Sequence, residues 1–254
     1  MSKILLAICT AVAVGAIGTG PLCAQPDVLE RLTESRLGAI QPGEYVGGDR
    51  IRFELGVQGA NYLLRFAGDR EVFALYSDRI SFGGRVLRYD SGETAIRVAG
   101  WGAMTLYTDS SPNGLPTTRI GDATIASPSG ISTGEMESLA ADEGQHLAYA
   151  RRLRITFTAD WSVLETNSAL RAAALDAMLN AARGIERFTR AEQSRDIMGN
   201  RISAVTLATA RRPTLSLHDR TLIVTFNPDQ GFFGRASSRA IARALGVLLG
   251  RTHQ

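Results

Sequence analysis

The sequence predicts an α+β protein: an N-terminal antiparallel β meander, closing as a barrel or sandwich, followed by a C-terminal sheet with two packed helices. Three observations carry this. Short runs of alternating apolar and polar residues, divided by glycine turns, fill the stretch from Tyr45 to Tyr107. A segment rich in Pro, Gly and Ser follows, and the remaining half mixes strand-like runs with residues repeating at helical spacing. Runs of strands followed by segregated helices belong to the α+β class.

The chain opens with Met1-Ser2-Lys3, an apolar run from Ile4 to Ile17, and then Gly18 to Ala24 ahead of the polar Gln25-Pro26-Asp27. These are the charged, apolar and cleavage regions of an export signal, and a small residue before the cut places cleavage after Ala24. A run of about 14 residues is shorter than the roughly 20 that cross a bilayer, which disfavours a permanent tether. Residues 1–24 are therefore expected to be a signal peptide, and the mature chain to have no transmembrane span and to work in the periplasm or outside the cell. Lipidation of Cys23 is the competing reading, although Gly20-Pro21-Leu22 is a poor match to a lipid-attachment signal. Both cysteines, Cys9 and Cys23, lie in this segment. A mature chain without thiols excludes disulfides, Cys–His nucleophiles and thiolate metal sites, so stability has to come from a buried core.

From residue 25 to 108 we expect the β domain. In Ile51-Arg52-Phe53-Glu54-Leu55 apolar and charged residues alternate strictly, the signature of a half-buried strand. Similar runs stand at Tyr62 to Phe66, Val72 to Tyr76, Ile80 to Phe82, Val86 to Tyr89, Ala95 to Val98 and Met104 to Tyr107. Gly68-Asp69, Gly83-Gly84 and Ser91-Gly92 read as hairpin turns between them. Residues 109–137, with Pro112-Asn113-Gly114, Pro116 and Ser127-Pro128-Ser129-Gly130, read as a linker or long loop.

Residues 138–254 are the expected α+β domain. Arg152 to Ala159 reads as a strand, and Thr166 to Phe188 as one helix with the stripe Leu175, Met178, Leu179, Ala182 and Ile185, capped by Asn167 or Ser168. Strands follow at Ile202 to Ala208, Thr214 to Leu217 and Thr221 to Phe226. A last amphipathic helix runs from Ser237 or Ser238 to Leu249.

Composition excludes several chemistries. Lys3 is the only lysine, so removing the signal takes the formal charge from +3 to +2 and rules out lysine Schiff bases, Ser–Lys catalysis and a lysine-bearing phosphate loop. Acids and arginines are interleaved, which argues against nucleic acid as a partner, since that partner selects a concentrated basic stripe. His146, His218 and His253 stand far apart with no metal-ligand spacing, and no cofactor motif is present, so no metal or cofactor is expected. No Gly-x-Ser-x-Gly elbow occurs, and no catalytic residue is assigned. Glu135, Glu137, Asp142 and Glu143 read as the solvated start of a helix, where acids complement the dipole. A general acid or base in that group is the alternative.

Two places are candidates for ligand binding. Ser237-Ser238-Arg239-Ala240-Ile241 opens a helix, and the hydroxyls are explained by capping. Free N–H groups there, beside Arg235 and Arg239, could also hold a phosphate or carboxylate. In Gly100-Trp101-Gly102-Ala103-Met104-Thr105-Leu106-Tyr107 the tryptophan reads first as a barrel corner with its ring in the core, and second as a ligand shelf in the barrel mouth together with Tyr107.

At Gly100 to Thr108, at Asn113-Gly114-Leu115-Pro116 and at Ser237 to Ile241 the chain resembles an uncharacterised family of exported alphaproteobacterial proteins, a domain of unknown function. The resemblance implies a bacterial envelope location and carries no activity or catalytic residue. The expectation is thus a non-enzymatic periplasmic binding or envelope-assembly module whose partner is an unidentified envelope ligand or protein. The alternative is a periplasmic hydrolase using acidic residues and His146.

Overall fold

The computed structural model describes residues 40–125 and 130–250. The segment expected to be a signal peptide, with Cys9 and Cys23, and His253 lie outside the described residues.

Eight strands close into an antiparallel barrel in chain order: β1 (Gly43–Gly47), β2 (Ile51–Gln58), β3 (Asn61–Phe66), β4 (Val72–Arg79), β5 (Arg85–Tyr89), β6 (Thr94–Val98), β7 (Met104–Thr108) and β8 (Ser111–Gly121), which pairs back onto β1. Closure leaves no open sheet edge in the barrel. The alternation read from the sequence sets its two faces. Phe53 and Leu55 of β2 are buried inside, while Glu54 points out and meets its cross-strand partner Arg65 at 2.7 Å. Aromatic rings fill the lumen in a continuous chain: Tyr45 stacks on Phe53 at 5.4 Å, Phe53 touches Phe66, Phe66 touches Phe73, and Phe73 meets Tyr89 edge-on at 5.2 Å. An eight-stranded barrel is just wide enough for side chains to fill, and this one is filled.

The expected linker at residues 109–137 instead contains β8 and the start of a helix. Prolines and a glycine made β8 look like a loop, but the barrel accommodates each. The β7–β8 register shifts between Leu106 and Thr108, a bulge at which lost ladder bonds are tolerated, and the Pro116 carbonyl still accepts from Gly48 N at 2.9 Å. Gly114 has φ +85°, and a Cβ there would lie 2.9 Å from the Tyr107 ring. Ile80 to Phe82 is likewise not a strand. Ser81–Gly83 forms a short 3₁₀ turn joining β4 to β5, closed by Ile80 N donating to Gly84 O at 3.0 Å.

The rest of the chain folds as α1 (Thr133–Arg151), β9 (Thr156–Thr158), α2 (Trp161–Thr166), α3 (Ser168–Phe188), α4 (Glu192–Arg201), β10 (Ala204–Thr209), β11 (Leu215–His218), β12 (Thr221–Phe226), a 3₁₀ segment (Pro228–Gly234) and α5 (Ser238–Leu248). The sheet order is β11-β12-β10-β9, with β9, β10 and β12 parallel and β11 antiparallel. Among the described residues five helices stand where two were expected to pack on the sheet, and the helix start read at Glu135 to Glu143 belongs to α1. The helix expected from Thr166 to Phe188 is α3, with Asn167 as its cap, accepting from Leu170 N at 3.0 Å; the extended backbone of Asn167 separates it from α2, which was not expected. Helix α4 escaped notice because it is polar almost throughout and buries only Ser194 and Met198. The apolar core of this half, built on α1, α3, α5 and the sheet, is separate from the barrel core. No described helix is long and apolar enough to cross a membrane.

Helices α3 and α5 cross closely because Gly184 is bare where Ile241 sits; a Cβ at Gly184 would overlap that side chain. Gly184→Ala is expected to destabilise the fold by about 1–3 kcal/mol despite its better helix propensity, measured as a lowered urea midpoint.

Candidate functional site

The strand order puts the β3–β4, β5–β6 and β7–β8 hairpins at one end of the barrel and the β2–β3, β4–β5 and β6–β7 hairpins at the other. The two ends differ in chemistry.

The first end is acidic and receives α5. Ser237 caps that helix, its Oγ accepting from Ala240 N at 3.2 Å. Two of the N–H groups left over are taken by the barrel. Ser237 N and Oγ donate to the two carboxylate oxygens of Asp90 at 2.7 and 2.5 Å, and Ser238 N and Oγ donate to those of Glu71, both at 2.7 Å. Each serine thus engages one carboxylate twice, at the electropositive end of a helix. Arginines surround the contact. Arg187 donates to Ser238 Oγ at 3.0 Å and to Asp109 at 2.6 Å, and Arg183 meets Asp69 at 3.2 Å. Arg239 bridges Glu93 at 2.8 Å and Asp109 at 2.5 Å while lying 4.4 Å over the Tyr89 ring. Arg243 donates to the Ser91 carbonyl.

Burial raises the Glu71 and Asp90 carboxyls above their ordinary range, against the hydrogen bonds from Ser238 and Ser237. Burial also acts upward on Asp109, but Arg239 and Arg187 outweigh it and hold that carboxyl low. The Tyr89 hydroxyl is pushed up to about 12, first by its burial.

Two of the residues nominated from sequence therefore belong to this junction. Arg239 is engaged through both terminal nitrogens by the barrel carboxylates Glu93 and Asp109, so the anion at the start of α5 is the protein's own. Arg235 is buried, paired with Asp176 at 2.9 Å and stacked 4.5 Å over Phe232. Neither is brought near Trp101.

Trp101 stands at the other end, and the expectation that its ring fills the core is overturned: it is 82% exposed at the tip of the β6–β7 hairpin. The flanking glycines explain why. Gly102 takes φ +93° to close the turn, and Gly100 presses against the Phe82 carbonyl where a Cβ could not fit. Both serve the backbone, and the tryptophan is left pointing outward. The neighbouring β4–β5 loop presents Phe82, 96% exposed and held at φ +60°, a left-handed conformation unusual for a bulky residue. Tyr107 is half-buried on the outer barrel wall, in a groove of about 630 Å³ that it shares with Ile80, Phe82, Arg88 and Arg97. Sequence reasoning missed Phe82 as a site residue, although Phe82-Gly83-Gly84 is a recognisable turn. It also missed Glu71 and Asp90, whose partners lie 167 and 147 residues away.

The histidines are dispersed. His146 Nε2 lies 2.9 Å from Glu186 Oε1 near Glu143, whose carboxyl burial raises, and His218 stands exposed beside Asp219. Among the described residues no group of three acids and histidines could hold a metal ion.

Comparison with protein families matches residues 27–245 to a domain of unknown function (DUF4908). The chain belongs to this family. No curated protein and no solved structure matches it. The DUF4908 match runs through the barrel and into α5, so the whole junction from Asp69 to Arg243 lies within it.

Glu71→Ala is expected to cost about 1–3 kcal/mol, because it strands the Ser238 N–H and hydroxyl in a buried place, with Glu71→Gln milder; urea unfolding measures both. Asp109 has a depressed carboxyl, so it contributes stability above its ordinary value of 3.8 and loses it as pH falls through the folded-state value. Asp109→Asn should lower the midpoint at neutral pH and flatten its decline in acid. Glu71 and Asp90 are raised and act in the opposite sense, their contribution falling as pH rises through their folded-state values.

Proposed function

We propose that this chain is exported and acts outside the cytoplasm as a non-enzymatic binding module, presenting the free end of its barrel to an envelope partner. Export rests on the sequence: the Lys3 start, the apolar run and the small residue at Ala24. The observation that carries the binding role is the contrast between the two barrel ends. At one end, acids and arginines pair with each other across the junction. At the other, Phe82 and Trp101 stay in water on loops in direct backbone contact. Large exposed aromatics on neighbouring loops are what interaction surfaces use. The filled lumen favours a surface partner over a ligand inside the barrel.

Export is tested by recovering the protein from the periplasm of a Gram-negative host for intact mass and N-terminal sequencing. The expected chain begins at Gln25; one beginning at a lipidated Cys23 would make it a tethered lipoprotein, and an uncut cytoplasmic chain would overturn export. Binding is tested with a photo-crosslinking residue at position 101 in the native envelope, against the same residue at the exposed Arg212. Adducts from position 101 and none from 212 are expected, and equal yields overturn the assignment of the surface. Turnover abolished by His146→Ala in a folded protein would overturn the non-enzymatic reading.

A further inference from the structure

Resting on that reading, we infer that the free end of the barrel docks on an anionic phospholipid surface. The loop tips place Phe82 and Trp101 outermost, with Ile80, Ala99 and Ala103 beside them, and aromatic side chains of this kind settle at the level of lipid headgroups.

Charge at this end points to an anion. Arg79 and Arg85 are direct cross-strand partners on β4 and β5, on the face shared with Leu75 and Leu87 at the barrel rim. Like charges placed opposite each other destabilise a sheet. No carboxylate pairs with either among the described residues, nor with Arg97 on the adjacent strand. The one acid on this part of the wall, Asp78, is taken by Arg88 at 3.0 Å. A phosphate-bearing surface would relieve the Arg79–Arg85 repulsion. The β4–β6 side of this end is thus basic, whereas the acids Glu44 and Asp122 stand on its β1–β8 side, Asp122 paired with Arg119 at 2.5 Å.

Phe82 supplies a second, independent sign. A bulky residue at φ +60° is strained, and strain of this kind is kept where a side chain must be presented. The ring gains nothing from the fold in return, being 96% exposed. A partner that takes up the ring accounts for it.

The test uses the purified chain with its Gln25 terminus verified, carrying Trp161→Phe so that Trp101 is the sole tryptophan of the two in the sequence. Vesicles of phosphatidylglycerol mixed with phosphatidylcholine are compared with phosphatidylcholine alone. The expected result is co-sedimentation with the anionic vesicles, a blue shift of Trp101 emission, and loss of both at high salt. Trp101→Ser, Phe82→Gly and the pair Arg79→Ser with Arg85→Ser should each weaken partition by about tenfold, with Arg212→Ser as the unaffected control. Phe82→Gly separates docking from folding, because it relieves the backbone strain: its unfolding temperature should hold or rise while vesicle binding falls. Equal partition to both vesicle types, binding untouched by these variants, or binding only to a soluble polyanion such as heparin would overturn the inference. Protein adducts from position 101 without vesicle binding would overturn it while leaving the binding-module reading in place. Absence of both would remove the two together.

Discussion

The architecture turns on one contact, the start of α5 seated between two barrel carboxylates. Glu71 is only 3% exposed, and a carboxylate so far from water is costly to keep charged. What makes it tenable is the geometry of the opposing group. The Ser238 amide and hydroxyl both point at it, Arg183 stands 3.9 Å away, and the aligned peptide dipoles of α5 add positive potential at that end. Asp90 and Ser237 repeat the arrangement one residue earlier. Since each serine addresses a different acid, sliding α5 by one residue would leave buried carboxylates facing wrong or missing donors. The contact therefore fixes position as well as contributing affinity. The flank of the same helix, through Ile241 and Leu245, is buried in the other core, so α5 joins two apolar clusters through its polar end and its apolar side.

The surrounding arginines follow from helical periodicity. Arg183 and Arg187 on α3, and Arg239 and Arg243 on α5, are each four residues apart and so share a helix face, and Arg190 follows in the turn after α3. Asp109 collects three of these cations, Arg187, Arg190 and Arg239. Exposed ion pairs contribute little singly, but a half-buried network on a fixed scaffold discriminates strongly against other orientations. The arginine-only composition suits it, because a planar guanidinium can bridge two carboxylates and stack on Tyr89 at once, as Arg239 does.

The sequence revealed local pattern well and long-range pairing poorly. Strict alternation announced β2, and β12 begins and ends where its apolar run does, at Thr221 and Phe226. Strand β8 was hidden because its prolines and glycine are turn residues by composition; only the bulge opposite Leu106 and the Tyr107 ring beside Gly114 make them strand residues. The serines before α5 were legible as caps, since capping is a local matter. That their amides also hold Glu71 and Asp90 was not, because nothing in either acid's neighbourhood marks a partner more than a hundred residues away.

Trp101 shows why the candidate surface was legible only by half. A tryptophan between two glycines says that backbones come close, and Gly100 against the Phe82 carbonyl bears this out. It does not say which side of the turn the ring occupies. That is decided by closure: the lumen is already packed by Tyr45, Phe53, Phe66, Phe73 and Tyr89, leaving no volume for an indole. Exposure of Trp101 is thus a consequence of a full barrel, and the contact of Gly100 with the Phe82 carbonyl sets its hairpin against the β4–β5 loop. A side chain excluded from the core, beside a second one held out against its backbone preference, can meet a partner without disturbing the packing of the barrel.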